Sequence, residues 1–390
     1  MRNNRQAAGM LDAVTALAPS LAARAIEIET ARTLPADLVE TLREIGFYRM
    51  FVSRDHGGME IDIPTSLPIY EALAAADASA AWTVMTGGHA PIFTSLMPRA
   101  SLDRIYANGP DVAWANSLVP AGRAEMVKGG YRVSGDWPLA SGCLHADWIF
   151  GLCVVTEGGR ALPGPSAAAP LMRCIALPAA DWTVVDTWRA IGLEGSGSHT
   201  VTLSDAFAPA DQSFDHASGV SELAGPLYRA PLAVLPVHAA AIAIGVAEGA
   251  VDDIIALAST GKRAAGAASD LRDSPVFHHA LGRAEADLRA ARALVHAQAA
   301  QQWRWADSGH LDADSGIACG QASAWAAAAC IRTVETCYAA AGGSAVYDTS
   351  PLQRRLRDIR ALAQHKAVNE SNFTDAGAAL CLHGAGALSA

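Results

Sequence analysis

The spacing of apolar residues changes twice along this chain, and that change most constrains its fold. Residues 1–111 and 219–390 carry apolar residues at helical spacing, whereas residues 112–218 break into short apolar runs separated by Gly, Pro and Asp turns. Recurrence every three or four residues indicates amphipathic helices, and short runs between turns indicate strands. The sequence therefore predicts an α+β protein, mostly α, with an N-terminal helical domain, a middle antiparallel β-domain and a C-terminal helical domain.

The composition excludes several classes of protein. Of the 390 residues, 51% are hydrophobic and 17% are charged, and the net charge is −10. Disordered chains have low hydrophobicity and high charge, and nucleic-acid-binding proteins carry a basic surplus. We therefore expect a folded protein with no nucleic-acid partner. Much of the apolar fraction is Ala, the strongest helix former, which predicts closely packed helices.

The chain shows no pattern typical of export, of a membrane span or of a metal site. The N-terminal segment reads as an amphipathic helix with early acidic residues, unlike a signal peptide. The longest apolar stretch, residues 233–251, is interrupted by Pro236, His238 and Glu248, so we expect a buried helix there. Seven cysteines without a CxxC pair favour reduced thiols, a cytoplasmic location and no metal-cysteine site.

Two Gly-rich segments of the middle region are candidate ligand loops. In residues 129–148 a predicted strand runs into a Ser-Gly pair and a His, where Ser141 could offer its hydroxyl to a planar ligand; an ordinary β-turn explains the same residues. Residues 188–209 carry three glycines spaced GxxGxG and followed by a strand. The dinucleotide loop needs GxGxxG followed by a helix, so we exclude that interpretation.

Two histidines are candidate site residues. His89 lies in the run Thr-Gly-Gly-His-Ala-Pro, which we interpret as a break between helices, where side chains can line a cavity. His365 follows an arginine-rich helix face over residues 354–360. A single His on a helix, such as His365, is more often structural than catalytic, whereas a His at a break between helices is a better candidate than most.

Five segments, taken together and in order, resemble the acyl-CoA dehydrogenase superfamily, and most of all the oxygenase components of two-component flavin monooxygenases. They are residues 42–47, 57–58, 130–148, 192–209 and 351–365. The resemblance covers nearly the whole chain. It implies an N-terminal helical domain, a middle β-domain and a C-terminal four-helix bundle, assembled as a homotetramer.

One position separates the two branches of this superfamily. Acyl-CoA dehydrogenases abstract a proton with a glutamate about eight residues after the Arg-Asp pair of the last long helix, which matches Arg357-Asp358 here. At that place this chain has His365 and Lys366, with no carboxylate. A His after the Arg-Asp pair is what the monooxygenase branch carries. Glu248 is the nearest alternative base, but its helix spacing does not place it clearly at a flavin.

The resemblance also implies roles for individual residues. Ser141 would stand at the N5 side of the flavin, and His365 would hydrogen-bond a flavin peroxide or deprotonate a phenol. His89 would face the substrate. Further residues would border the flavin (Trp114, Gly142, Gly195, Ser196, Ser198), meet its phosphate region (Arg263) or wall the substrate pocket (Trp82, Phe93). Two departures from the family, Leu139 and His278, leave the choice between FMN and FAD open.

The reaction implied by the resemblance is an oxygenation. Reduced FMN or FAD, supplied by a separate NAD(P)H:flavin reductase, would react with O₂ to give a C4a-peroxide or hydroperoxide, which would hydroxylate a small aromatic substrate. The protein would exclude water while the flavin does the chemistry. The alternatives are an acyl-CoA dehydrogenase, an N- or S-oxygenase with the same scaffold, and a non-enzymatic flavin carrier.

Overall fold

The described residues form helices at both ends of the chain and one β-sheet between them in sequence. The computed structural model describes residues 2–165, 169–217, 219–229, 235–263, 269–309 and 313–384. The N-terminal helices are α1 (Arg2–Ala23), α2 (Ala25–Ala31), α3 (Ala36–Ile45), α4 (Ile63–Ala76), α5 (Ala78–Thr94) and α6 (Arg99–Ile105). The α+β fold, mostly α, is confirmed.

Helix α5 contains a segment that the sequence did not predict as helical. The break expected around His89 is wrong, because α5 runs through residues 86–91 without interruption. Its two glycines permit close packing: a Cβ on Gly87 would lie 2.9 Å from the Trp114 carbonyl oxygen, and one on Gly88 would lie 3.0 Å from the Phe47 carbonyl oxygen. Glycine here answers a need for space between elements, which the sequence alone does not distinguish from a turn.

The sheet lies between residues 114 and 214. Its strands are β1 (Trp114–Val127), β2 (Gly130–Ala140), β3 (Trp148–Glu157), β4 (Arg160–Ala161), β5 (Met172–Pro178), β6 (Thr183–Val185), β7 (His199–Pro209) and β8 (Ser213–Phe214). They lie in the order β6-β7-β2-β1-β3-β5-β8, with β4 beside β3. The sheet is mostly antiparallel, as predicted, but β1 and β3 are parallel because the chain crosses over through residues 141–147 after the β1–β2 hairpin.

The C-terminal bundle is built from α7 (Leu235–Ser259), α8 (Pro275–Ser308), α9 (Ala313–Ala341), α10 (Pro351–Leu362) and α11 (Ser371–His383). Helix α7 packs against α4, α8, α9 and α10. It approaches α4 so closely that a Cβ on Gly245 would lie 2.2 Å from the Glu71 carbonyl oxygen. The last two helices, α10 and α11, are separated by turns over residues 363–370.

The described residues contain no membrane-spanning helix, no cluster of metal ligands and no disulfide. None of their helices is long and apolar enough to cross a membrane. No group of three or more metal-ligating side chains occurs among them. All seven cysteines are free, and six of them are buried.

Candidate active site

Two turns bring three serine hydroxyls together. Ser141 follows β2, and Ser196 and Ser198 lie in the turn before β7; the turns are joined by a hydrogen bond from the Gly142 N–H to the Ser196 carbonyl oxygen at 2.9 Å. The Ser141 Oγ lies 2.7 Å from the Ser198 Oγ, which lies 2.7 Å from the Ser196 Oγ. All three side chains are buried. Ser141, Ser196 and Ser198 are thus brought together, as are the predicted neighbours Gly142 and Gly195.

Trp82 connects the serines to His365. Its indole Nε1–H donates to the Ser141 Oγ at 3.2 Å, and its ring meets the His365 ring edge-on with centroids 5.1 Å apart. His365 is exposed to solvent, yet desolvation by the surrounding protein lowers its pKa below the usual value. His365 is thus accessible to a ligand while its ring lies against that of Trp82.

The protonation of His365 follows from one contact. Its Nδ1 accepts the backbone N–H of Ala367 at 3.2 Å. A ring nitrogen that accepts carries no proton, so the neutral imidazole holds its proton on Nε2. In the conformation seen here, His365 therefore presents a hydrogen-bond donor.

Asp358 ties helix α10 to the serine turn. Its carboxylate Oδ1 accepts the Leu193 N–H at 2.7 Å. Burial raises the pKa of Asp358 to about 7, with Asp77 and Glu29 contributing in the same direction and the Leu193 N–H and Arg354 opposing. The sequence offered no signal for this contact, because the two residues stand 165 positions apart.

Gly195 has a structural reason to be glycine. A Cβ there would lie 2.1 Å from the Ile28 Cγ2 of α2. The residue lets α2 approach the serine turn, whatever else borders it. A further contact, the 3.2 Å hydrogen bond between the Thr33 Oγ1 and the His145 Nε2, joins the segment after α2 to the turn after β2.

His89 and Phe93 lie apart from the serine cluster. His89 is 1% exposed, and its Nε2 lies 2.9 Å from the Nδ1 of His238. Burial and the neighbouring His238 hold the pKa of His89 well below its usual value. Phe93 packs against Phe150 in the interface between α5 and the sheet. The substrate-facing roles of His89 and Phe93 stay predictions, and the structure does not bring either beside Ser141.

Trp114 and Arg263 also stand outside the cluster. Trp114 is buried against Trp148 and Phe150 at the start of β1. Arg263 is exposed beyond the end of α7, and its Nε donates to Asp270 at 2.8 Å. A phosphate-binding role for Arg263 stays a prediction.

The alternative base is engaged elsewhere. Glu248 accepts a hydrogen bond from Arg292 at 2.7 Å, and the same arginine binds Glu71 at 2.8 Å. His296 also binds Glu71, at 2.6 Å. This network joins α4, α7 and α8, so Glu248 serves packing within the bundle in this structure.

The residues present fit a flavin ring. The neutral hydroxyl of Ser141 is flanked in sequence by two large apolar side chains, Leu139 and Leu144, which are 55% and 51% exposed. A planar ring with polar edges needs apolar faces and a few oriented hydrogen-bonding groups. The accessible, densely surrounded His365 beside Trp82 adds an aromatic wall and a donor.

The chain is similar to known proteins over most of its length. Residues 8–97 match the model of the acyl-CoA dehydrogenase N-terminal domain, and residues 237–370 match that of the C-terminal domain. Indole-3-acetate monooxygenase of Pseudomonas putida is 28% identical over 91% of this chain and 89% of its own. The flavin-dependent monooxygenase oxygenase subunit HsaA of Rhodococcus jostii is 27% identical over 90% of this chain and 92% of its own.

A solved structure agrees over the same span. XiaF from Streptomyces, in complex with FADH2 and glycerol, superposes with a TM-score of 0.89 at 26% identity, covering 96% of this chain and 95% of that one. The two family models together span more than half of the sequence. This chain belongs to the acyl-CoA dehydrogenase superfamily and, within it, is most like the oxygenase components of flavin-dependent monooxygenases.

Proposed function

We propose that this chain is the oxygenase component of a two-component flavin monooxygenase that hydroxylates a small aromatic substrate. When bound in its reduced form, FMN or FAD supplies the two electrons with which O₂ is activated. One oxygen atom enters an aromatic C–H bond as a hydroxyl group, and the other leaves as water. A separate NAD(P)H:flavin reductase would supply the reduced flavin.

The observation that carries this proposal is the contiguous arrangement of His365, Trp82 and Ser141. The position two turns beyond Asp358 holds an accessible imidazole where an acyl-CoA dehydrogenase would need a carboxylate. Glu248, the alternative carboxylate, is paired with Arg292. Neither position therefore offers a free carboxylate for proton abstraction beside a thioester, whereas His365 offers a donor for hydrogen bonding to an oxygen species.

The residues of the site would orient the flavin and exclude water. Ser141 would hold the N5 side of the flavin, with Gly142, Gly195, Ser196 and Ser198 along the same border. His365 would donate its Nε2–H to oxygen, and its lowered pKa keeps it neutral at pH 7. The buried Ala and aromatic side chains of α5 and α7 would exclude water from the protein around the site.

The direct test supplies photoreduced FMN or FAD and ¹⁸O₂, without reductase, to the protein and a panel of phenols and indoles. We expect a product with one ¹⁸O atom, detected by mass spectrometry. Flavin that purifies tightly bound and is reduced by an acyl-CoA without oxygenation would overturn the proposal. Oxygenation only at the indole nitrogen would correct the substrate class and keep the reaction.

Two substitutions separate the roles of His365. For His365→Ala we expect at least a hundredfold loss of product with flavin binding retained, because the donor is lost. His365→Gln keeps an N–H donor and should retain more activity than His365→Ala. The matched control is Lys366→Ala, at the adjacent exposed position. Equal loss in the Gln and Ala variants would instead indicate a base.

Arg263→Ala tests the predicted phosphate contact. The exposed Arg263–Asp270 ion pair should contribute little stability, about 0.5 kcal/mol or less. We expect affinity for reduced FMN to fall about tenfold, as for one lost charged hydrogen bond, while affinity for reduced riboflavin is unchanged. Equal effects on both ligands would contradict a phosphate contact.

We propose a homotetramer assembled through the C-terminal bundle, in a cytoplasmic setting. Large apolar side chains on its helices are exposed in the single chain, among them Val276 and Leu382, each 79% exposed, and Trp325. Free cysteines suit a reducing compartment. Light scattering of the purified protein tests the assembly, and a monomer at micromolar concentration would exclude it.

A further inference from the structure

A continuous hydrogen-bonded chain runs through the candidate site. It begins at the Trp82 Nε1–H, passes through the hydroxyls of Ser141, Ser198 and Ser196, and ends at the Leu193 carbonyl oxygen. Successive heavy atoms are 3.2, 2.7, 2.7 and 2.6 Å apart. Each of these side chains is less than a tenth exposed.

The Leu193 end of this serine chain determines where every hydroxyl proton points. The Leu193 carbonyl can only accept, so the single hydroxyl proton of Ser196 is directed to it. The Ser196 Oγ must then accept from Ser198, and the Ser198 Oγ must accept from Ser141. At the other end the Trp82 indole can only donate, which is consistent with the same direction.

Ser141 is therefore left with one free function. Its proton is directed to Ser198, and one lone pair receives the Trp82 N–H. What it can offer a ligand is its second lone pair. Reversing the direction would turn the Ser196 proton towards Ser198. The Ser196 Oγ and the Leu193 carbonyl oxygen would then face each other at 2.6 Å with no proton between them, which is repulsive.

Hydrogen bonds at both the N–H and the carbonyl oxygen of Leu193 fix the end of the serine chain. The Leu193 N–H donates to Asp358 at 2.7 Å, and its carbonyl also accepts the Trp188 indole N–H at 3.1 Å. Leu193 itself has φ +53°, in the left-handed region that a branched side chain rarely adopts. The surrounding contacts hold this conformation and with it the carbonyl direction.

We infer that the serine chain fixes Ser141 as a hydrogen-bond acceptor and so makes the site prefer reduced over oxidised flavin. Reduced flavin carries a proton on N5 and can donate to Ser141, whereas the N5 of oxidised flavin is itself an acceptor and faces a lone pair. Ser198 is the positioning residue, because its Oγ accepts the hydrogen bond that the Ser141 hydroxyl donates. This inference rests on the proposed function and on Ser141 standing at N5.

The test compares affinities for the two redox states of the flavin in the intact protein. Dissociation constants for oxidised and photoreduced FMN and FAD are measured anaerobically, for the wild type and for Ser198→Ala. We expect the wild type to bind reduced flavin at least tenfold more tightly. In Ser198→Ala the Ser141 proton is free to reach N5, so this preference should fall five- to tenfold, mainly through tighter binding of oxidised flavin.

The midpoint potential of the bound flavin gives an independent reading. A tenfold fall in the preference corresponds to a shift of about −30 mV for a two-electron couple. The matched control is Ser95→Ala, which removes a buried hydroxyl that donates to the Ile92 carbonyl and is outside the serine chain. Ser196→Ala interrupts the chain one step later and should shift the preference in the same direction, which keeps the test available should Ser198→Ala not fold.

The outcomes separate the inference from the proposed function. An unchanged preference in folded Ser198→Ala or Ser196→Ala would overturn the inference, as would a wild type that binds both states equally or prefers oxidised flavin. A wild type that binds flavin in neither state would overturn the proposed function itself. A reduced preference in the serine variants with Ser95→Ala unchanged would support the inference.

Discussion

Two chains of buried polar side chains run through this protein, and both end at a backbone carbonyl. The serine chain runs from Trp82 to the Leu193 carbonyl. The histidine chain runs from His89 through His238 to Ser66, whose hydroxyl donates to the Ile63 carbonyl at 2.7 Å. By the same logic, the His238 Nε2–H donates to Ser66, and the His89 Nε2–H donates to His238.

The surroundings of the two chains differ. The histidine chain is enclosed by the Phe51 and Tyr70 rings, with centroids 5.0–6.2 Å from the imidazoles. The serine chain meets the accessible ring of His365 and contains no titratable group. A carbonyl terminus can polarise a hydrogen-bonded chain in any surroundings, but only a chain that reaches an accessible side chain can present that polarity to a ligand.

The largest effect on stability should come from the histidine chain. His238→Ala leaves a cavity and a buried His89 N–H without its acceptor, and we expect a loss of about 3–4 kcal/mol. Ser198→Ala removes a much smaller group and should cost about 1 kcal/mol. Urea unfolding of both variants measures the difference. Equal losses would break the comparison between a structural and a ligand-facing chain.

The next effect is a pH dependence of stability that comes from Asp358, which accepts the Leu193 N–H at the end of the serine chain. Burial raises the pKa of Asp358 to about 7, so the folded state binds a proton that the unfolded state releases above pH 4. This contribution makes the protein more stable as pH falls from 7.5 to 5, by about 2–3 kcal/mol. Asp358→Asn keeps an acceptor for the Leu193 N–H and should abolish the contribution.

Thermal unfolding of wild type and Asp358→Asn at several pH values measures this pH-dependent contribution of Asp358 to stability. Asp77 and Glu29, which also raise the pKa of Asp358, and Arg354, which lowers it, are present in both proteins. The difference between the two proteins therefore isolates Asp358. A difference that does not change between pH 5 and pH 7.5 would contradict the raised pKa.

The histidine chain should show the opposite sign. The pKa of His89 lies well below 6.5 in the folded protein because of burial and the neighbouring His238, so the unfolded state takes up the proton first as pH falls. Stability from this group is complete above pH 6.5 and decreases as pH falls below it. His89→Gln should remove this loss. If the variant keeps the wild-type dependence on pH, His89 is not the group responsible.

The order of elements and part of the site were predictable because their signals are local. Apolar spacing predicted helices, a sheet and helices again, and the turn after β2 pointed to Ser141. The family resemblance singled out His365 as well. Apolar period and turn chemistry act over a few residues, so one sequence contains enough information to read them.

Which residues come into contact depends on the packing of segments that are distant in the sequence. The tertiary structure placed His89 inside α5 rather than in a break, and it joined Ser141 to Ser198 across 57 positions and Leu193 to Asp358 across 165. The direction of the serine chain depends on a backbone carbonyl fixed by those distant contacts. Hydrogen-bond polarity is a property of packed neighbours, and no local pattern in the sequence records it.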